Sequence, residues 1–167
     1  VQQLLARLPD AIPSGIVERI ADKSTVCPVV IDDLSQQHDR DDRLIVWNHR
    51  WEYDKNPQLF ADAMLALAER GVPFRLALLG ARPGKPHSDL LRLRDGLSSR
   101  VVADGHLPRA DYRRLLSSAA VVVSTARHEF QGLAILEAAS AGVRPLVPND
   151  LCYVEQYPAA YRYPAGQ

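Results

Sequence analysis

The stretch VVVSTARHEFQGLAILEAASAGVRPLVP, residues 121–148, decides the fold. Val121, Val122 and Val123 are consecutive β-branched residues with no polar alternation, the pattern of a parallel strand covered on both faces. Residues 124–131 are too polar to continue that strand. Gly132 opens an amphipathic helix, read with Leu133, Leu136 and the Ala139–Ser140 pair toward the sheet, and Gly142 ends it. Residues 143–147 start a second strand, in which Pro145 suits the beginning better than the middle.

Outward from this unit the same alternation recurs. Residues 44–47, 74–79 and 101–103 read as strands. Helices are expected over residues 57–70, 88–97 and 109–118. Asn56 is placed to cap the first of these, Pro57 suits its first turn and Gly71 closes it. Leu59, Phe60, Met64 and Leu67 share one side of that helix. Ser88 is expected to cap the next. Strands separated by helices require crossovers of one hand, which gives an α/β, Rossmann-like parallel sheet with helices on both faces. Upstream, Leu4, Leu5 and Leu8 form a helical pattern broken by Pro9 and Pro13. Ile16, Val17 and Ile20 make a further short turn of helix. Residues 26–31 (VCPVVI) read as an edge strand carrying a proline, and residues 32–42 as an exposed acidic connection.

Composition bounds the function classes. The chain has 167 residues, 47% apolar and 24% charged, enough for one domain with a real core. Formal net charge is zero, so no overall basic field exists to hold nucleic acid. Local arginines (Arg75, Arg82, Arg92, Arg94, Arg100, Arg109, Arg113, Arg114) and Lys85 read as a solvated surface. Cys27 and Cys152 have neither a disulfide nor a metal spacing, which points to a reducing, cytoplasmic setting. No apolar run reaches the length of a membrane span, and no signal peptide opens the chain. Gly80, Gly84 and Gly105 do not form G-x-G-x-x-G after the first strand, which disfavours an NAD site. The abrupt start at VQQLLARLPD reads as a fragment of a longer protein.

The chemistry gathers at the turn before the helix. The N–H groups of Gly132, Leu133 and Ala134 head that helix and favour an anion. Glu129 and Glu137, spaced E-x7-E, would repel a phosphate but accept hydrogen bonds from hydroxyls. An anion cradle flanked by hydroxyl acceptors fits a nucleotide-sugar. Two solvated glutamates at a helix end have the same spacing, and spacing alone does not choose between these readings. Arg50 and Lys55 follow the first strand and so belong to the same carboxyl edge of the sheet, where α/β folds bind ligands. A guanidinium and an ammonium there can reach a diphosphate. Trp47 and Trp51 read as packing residues, while His49 and His128 are loop histidines that could touch a sugar but are as often incidental in such a loop.

Arg50 and Lys55 in R-x4-K, with HEFQGLAILEAASAG at 128–142, resemble the carboxyl-terminal domain of family 4 retaining glycosyltransferases, one half of a GT-B fold. The likeness covers about residues 43–150. Asn48-His49 stands where that family has a glycine before the arginine, and His128 and Gln131 replace glycines around the first glutamate. With these departures, WNHRWEYDKNP, STARHEFQGLAILEA and PLVPNDLCYVEQYP are similar to the tRNA-queuosine mannosyltransferase family. The resemblance implies the donor-binding half of a glycosyltransferase using GDP-mannose, with queuosine in tRNA as an acceptor that other members need not share. Another donor and acceptor, or a non-catalytic nucleotide-binding module, are the alternatives. It implies that Arg50, Lys55 and Glu129 serve catalysis. Arg50 and Lys55 would hold the diphosphate, and Glu129 the donor sugar. Phe130, Gln131, Gly132 and Leu133 would offer backbone amides, and Glu137 would accept from the ribose. His106 and Leu107 would pack on the base. No metal or other cofactor is implied. Residues 1–42 would be a leading helix and linker from a missing amino-terminal half that binds most of the acceptor, and residues 43–167 the nucleotide-sugar domain. Alone, the fragment is expected to bind nucleotide weakly and not to turn over.

Overall fold

The computed structural model describes residues 15–34, 39–82 and 84–165. It divides into two units, residues 1–30 and 31–167. In the first, helix α1 (Ile16–Ala21) is the expected short turn; the leading-helix positions Leu4, Leu5, Leu8, Pro9 and Pro13 lie outside the described residues. Residues 26–31 form no strand, and Val26 and Val30 are exposed. β-branched content alone makes no strand where Pro28 removes a donor and no neighbouring strand pairs with it.

The second unit is a doubly wound sheet. In chain order it contains β1 (Asp41–Trp47), α2 (Pro57–Glu69), β2 (Arg75–Leu78), α3 (Ser88–Leu97), β3 (Val101–Asp104) and α4 (Arg109–Ser118). There follow β4 (Ala119–Val123), α5 (Leu133–Ser140), β5 (Arg144–Pro148), α6 (Tyr153–Gln156) and the short β6 (Arg162–Tyr163). The strand order is β3-β2-β1-β4-β5-β6, and every pairing is parallel. β6 pairs only with Val147 and Pro148, so Pro145, opposite Val122, has a strand neighbour on one side alone. The expected exposed connection is corrected at both ends. Leu34 is buried in the core, and Asp41 and Asp42 already belong to β1.

The two-residue period of the strands divides the core. Val46, Ala77, Leu79 and Val122 point to one face, where Leu116 of α4 and Ile135 and Ala138 of α5 cover them. Trp47, Leu76, Leu78 and Val123 point to the other, under Phe60 and Met64 of α2 and Leu90 and Leu93 of α3. Leu59 faces out instead of joining Phe60. α5 sits in a different phase from that expected. Ile135 and Ala138 are buried while Leu133 is exposed. Both phases fit the helical period, but close approach to the sheet selects the row containing the small Ala138. The caps also differ. Asn56 adopts a left-handed conformation without a side-chain cap, and His87, not Ser88, accepts from the Asp89 amide.

One glycine sets the spacing between the turns after β1 and β2. Gly80 has φ +93°, and a Cβ there would lie 1.9 Å from the carbonyl oxygen of His49. Gly80→Ala is expected to cost roughly 2–4 kcal/mol, from backbone strain plus the clash. Urea denaturation measures it; a loss below about 0.5 kcal/mol, the size of an ordinary surface change, would contradict this packing.

Candidate functional site

The strand order reverses between β1 and β4, so the connections leaving their carboxyl ends diverge and open a crevice. Asn48, directly after β1, bridges the two helices that wall it. Its Nδ2 donates to the Ala134 carbonyl of α5 at 2.8 Å and to the Tyr112 hydroxyl of α4 at 3.0 Å. The Tyr112 hydroxyl in turn donates to Glu137 Oε2 at 3.0 Å. Burial pushes the Tyr112 phenol well above its ordinary value, and the Glu137 charge adds to the shift, so it remains a donor. This hydrogen-bonded series borders a cavity of about 450 Å³ that His106, Leu107 and Glu137 also line. Three of the expected donor residues therefore share one cavity.

The remaining expected residues gather on the loops beside it. Lys55 Nζ lies 3.1 Å from Glu129 Oε2, 2.9 Å from the His128 carbonyl and 3.1 Å from Asp54 Oδ2. Both side chains of the Lys55–Glu129 pair are largely buried. Backbone and side-chain bonds fix the two loops together. Arg127 N donates to the Asp54 carbonyl at 2.7 Å, and Thr125 Oγ1 donates to the Lys55 carbonyl at 2.8 Å. Arg50 stands apart from this cluster, more than half exposed and paired with Glu52 at 3.1 Å.

The amide row is only partly as expected. Phe130 N–H donates to Glu129 Oε1 at 3.1 Å, while the Phe130 ring is 99% exposed. The Gln131 carbonyl accepts from Gln156. Leu133 and Ala134 head α5 ahead of its first backbone bonds, which run from Ile135 and Leu136 to the Gly132 carbonyl. Gly132 has φ +71°, and a Cβ there would come within 2.9 Å of the buried Tyr153 ring. That ring is fixed by a 2.9 Å bond between its hydroxyl and Ser124 Oγ.

His49 is buried beneath these loops, with its ring edge-on to Trp47. Burial pushes its imidazole down to about 4, assisted by Lys55 and opposed by Glu129 and Asp54. It is therefore neutral, and its Nε2 has no partner among the described residues. Trp47 and Trp51 pack as expected: Trp47 stacks on Phe60 and meets Trp51 edge-on.

Sequence reasoning missed Asn48 and Tyr112, whose roles depend on contacts across the fold. It also passed over Asp32, Arg109 and Arg113, which line the cavity but read as connection and surface. Among the described residues, no group of three or more His, Cys, Asp or Glu is placed to hold a metal ion. None of their helices is long and apolar enough to cross a membrane.

Residues 42–153 match the family model described as glycosyl transferases group 1. The chain belongs to that family. It is 41% identical over 119 residues to a tRNA-queuosine alpha-mannosyltransferase of Drosophila melanogaster, covering 71% of this chain and 32% of that protein. It is 28% identical over 120 residues to an alpha-D-kanosaminyltransferase of Streptomyces kanamyceticus, covering 71% and 31%. The chain thus spans about a third of the length of these curated relatives. The pneumococcal O-GlcNAc transferase GtfA, solved with UDP and GlcNAc, superposes with a TM-score of 0.65 at 18% identity, covering 81% of this chain and 27% of that one. The fold is one half of a GT-B glycosyltransferase.

The buried imidazole gives this group 1 domain a testable pH dependence. The unfolded chain takes up a proton at His49 near pH 6.5, while the folded chain resists until about pH 4. Stability contributed by this histidine is complete above 6.5 and lost as the pH falls from there toward about 4, by on the order of 2–3 kcal/mol. His49→Gln should show a correspondingly smaller loss between pH 7 and 4.5 in urea titrations. Equal losses in the two proteins would contradict the burial assigned to this ring.

Proposed function

We propose that this domain is the donor-binding half of a retaining glycosyltransferase that transfers mannose from GDP-mannose to queuosine in tRNA, in the cytoplasm. The observation that carries the reading is the Asn48–Tyr112–Glu137 series opening onto a cavity beside the Lys55–Glu129 pair. In this reading the nucleoside occupies the cavity, with Leu107 and His106 against the base. Tyr112 and Asn48 orient Glu137 so that its carboxylate accepts from the ribose hydroxyls. The diphosphate lies toward the head of α5, where the amides of Leu133 and Ala134, Lys55 and a rotated Arg50 stabilise the charge that develops on the leaving group. Because those cations and the helix end supply the positive field, the mechanism calls for no metal. Glu129, held by Lys55, accepts from the donor sugar. The other half of the enzyme supplies most of the acceptor site, so the isolated domain binds nucleotide without turnover.

The Drosophila relative supports the mannosyl and queuosine assignments. The Streptomyces relative, which is named for kanosamine, favours a second reading in which the same geometry takes another donor sugar and acceptor. A module that merely binds nucleotide would need Glu137 but not the Lys55–Glu129 pair.

The two glutamates separate under calorimetry. Glu137→Gln exchanges a charged acceptor for a neutral amide and should weaken GDP by roughly ten- to a hundredfold. Glu129→Gln should leave GDP affinity unchanged and reduce the discrimination between GDP-mannose and GDP. Equal losses of GDP affinity in both variants, or none in Glu137→Gln, would overturn these roles.

A further inference from the structure

Asp32 lies on the segment before β1, and the cavity that Glu137 borders also contains Leu34, Leu79, Arg109 and Arg113. Two contacts fix Asp32 there. Its carbonyl accepts from Ser140 Oγ of α5 at 3.3 Å. Its carboxylate accepts from Arg109 and, at 2.6 Å, from Arg113 of α4. Both guanidinium groups bind Oδ2, and Oδ1 takes neither. The Asp32 and Arg109 side chains are 56% and 75% exposed, so this pairing stabilises the fold little. Its geometry is informative for another reason. Arg109 precedes Tyr112 by one turn, about 4.5 Å along α4, so the charged cluster stands one turn from the group that holds Glu137.

We propose that Asp32, held by Arg109 and Arg113, selects guanine in this cavity against adenine and uracil. The proposal rests on the donor-binding reading given above and names the residue that decides the base. Guanine presents two adjacent donors, N1–H and the 2-amino group, to the two oxygens of a carboxylate. It also presents two acceptors, O6 and N7, that suit a guanidinium fork. Adenine would set the N1 lone pair against the carboxylate. Uracil offers a single N3–H flanked by two carbonyl oxygens, which the carboxylate repels. The carboxylate therefore rejects both alternatives as well as attracting guanine. Leu34, Leu79 and Leu107 supply apolar surface for a flat ring.

Binding of GDP, IDP, XDP, ADP and UDP to the chain and to Asp32→Asn, measured by calorimetry, tests this. The unaltered chain should bind GDP best, and IDP, which lacks the 2-amino group, about tenfold more weakly. Asp32→Asn should weaken GDP by roughly ten- to a hundredfold. It should also make XDP the better ligand, because the amide accepts from N1–H and donates to the 2-carbonyl of xanthine. That gain cannot come from a damaged fold. ADP and UDP should change little. Unchanged ratios among the five nucleotides in the variant, or a preference of the unaltered chain for UDP or ADP, would overturn the role of Asp32 and leave the donor site standing. Failure to bind any of the five would overturn the donor reading, and this proposal with it.

Discussion

The carboxamide of Asn48 is the interaction on which the site depends. One side chain at the end of β1 donates to the α5 backbone and to the α4 tyrosine, and through that tyrosine reaches Glu137. Three elements far apart in sequence thereby acquire one relative position. The position is rigid because each is also part of the packed core: Val46 beneath Asn48, Leu116 on α4, Ile135 and Ala138 on α5. A glutamate whose proton-donating neighbour is itself fixed keeps its second oxygen available to a ligand. Such preorganisation removes much of the ordering cost that binding otherwise carries.

The second constraint is electrostatic. Glu129 and Lys55 are largely withdrawn from water, and each would be costly there alone. Together, with Asp54 and the His128 carbonyl, they form a compact cluster above a neutral, buried imidazole. The cluster carries more negative than positive groups without a ligand, two carboxylates to one ammonium. Arg50, more than half exposed, lies outside this cluster and pairs with Glu52 two residues away. In the proposed function the charge of a diphosphate is met by Lys55, the head of α5 and an Arg50 turned away from Glu52.

Much of the architecture was legible because local and global preferences agree. The Val121–Val123 run, the boundaries of α3 and α4 and the glycines around α5 are local signals, and each became the expected element. The strand expected at residues 26–31 had propensity without a partner, and the phase of α5 was decided by packing on the sheet rather than by its largest side chains. In the site, topology alone placed Lys55 and Glu129 on one edge, and they are in contact. Side-chain connections were not legible. Asn48 meets Ala134 across 86 residues and Tyr112 meets Glu137 across 25, distances over which periodicity carries no information. Asp32 was hidden for the same reason, its partners lying on α4 some eighty residues downstream in the chain.

In the proposed function a nucleoside diphosphate binds between α4 and α5 at the carboxyl edge of the sheet. Backbone amide resonances followed during GDP titration test it most directly. Shifts are expected at Gly105, Leu107, Ala134 and Glu137, with Leu133 and Lys55 following as the diphosphate settles. Shifts confined to Arg40, Gly142 and Arg144, which line a separate pocket, would contradict it.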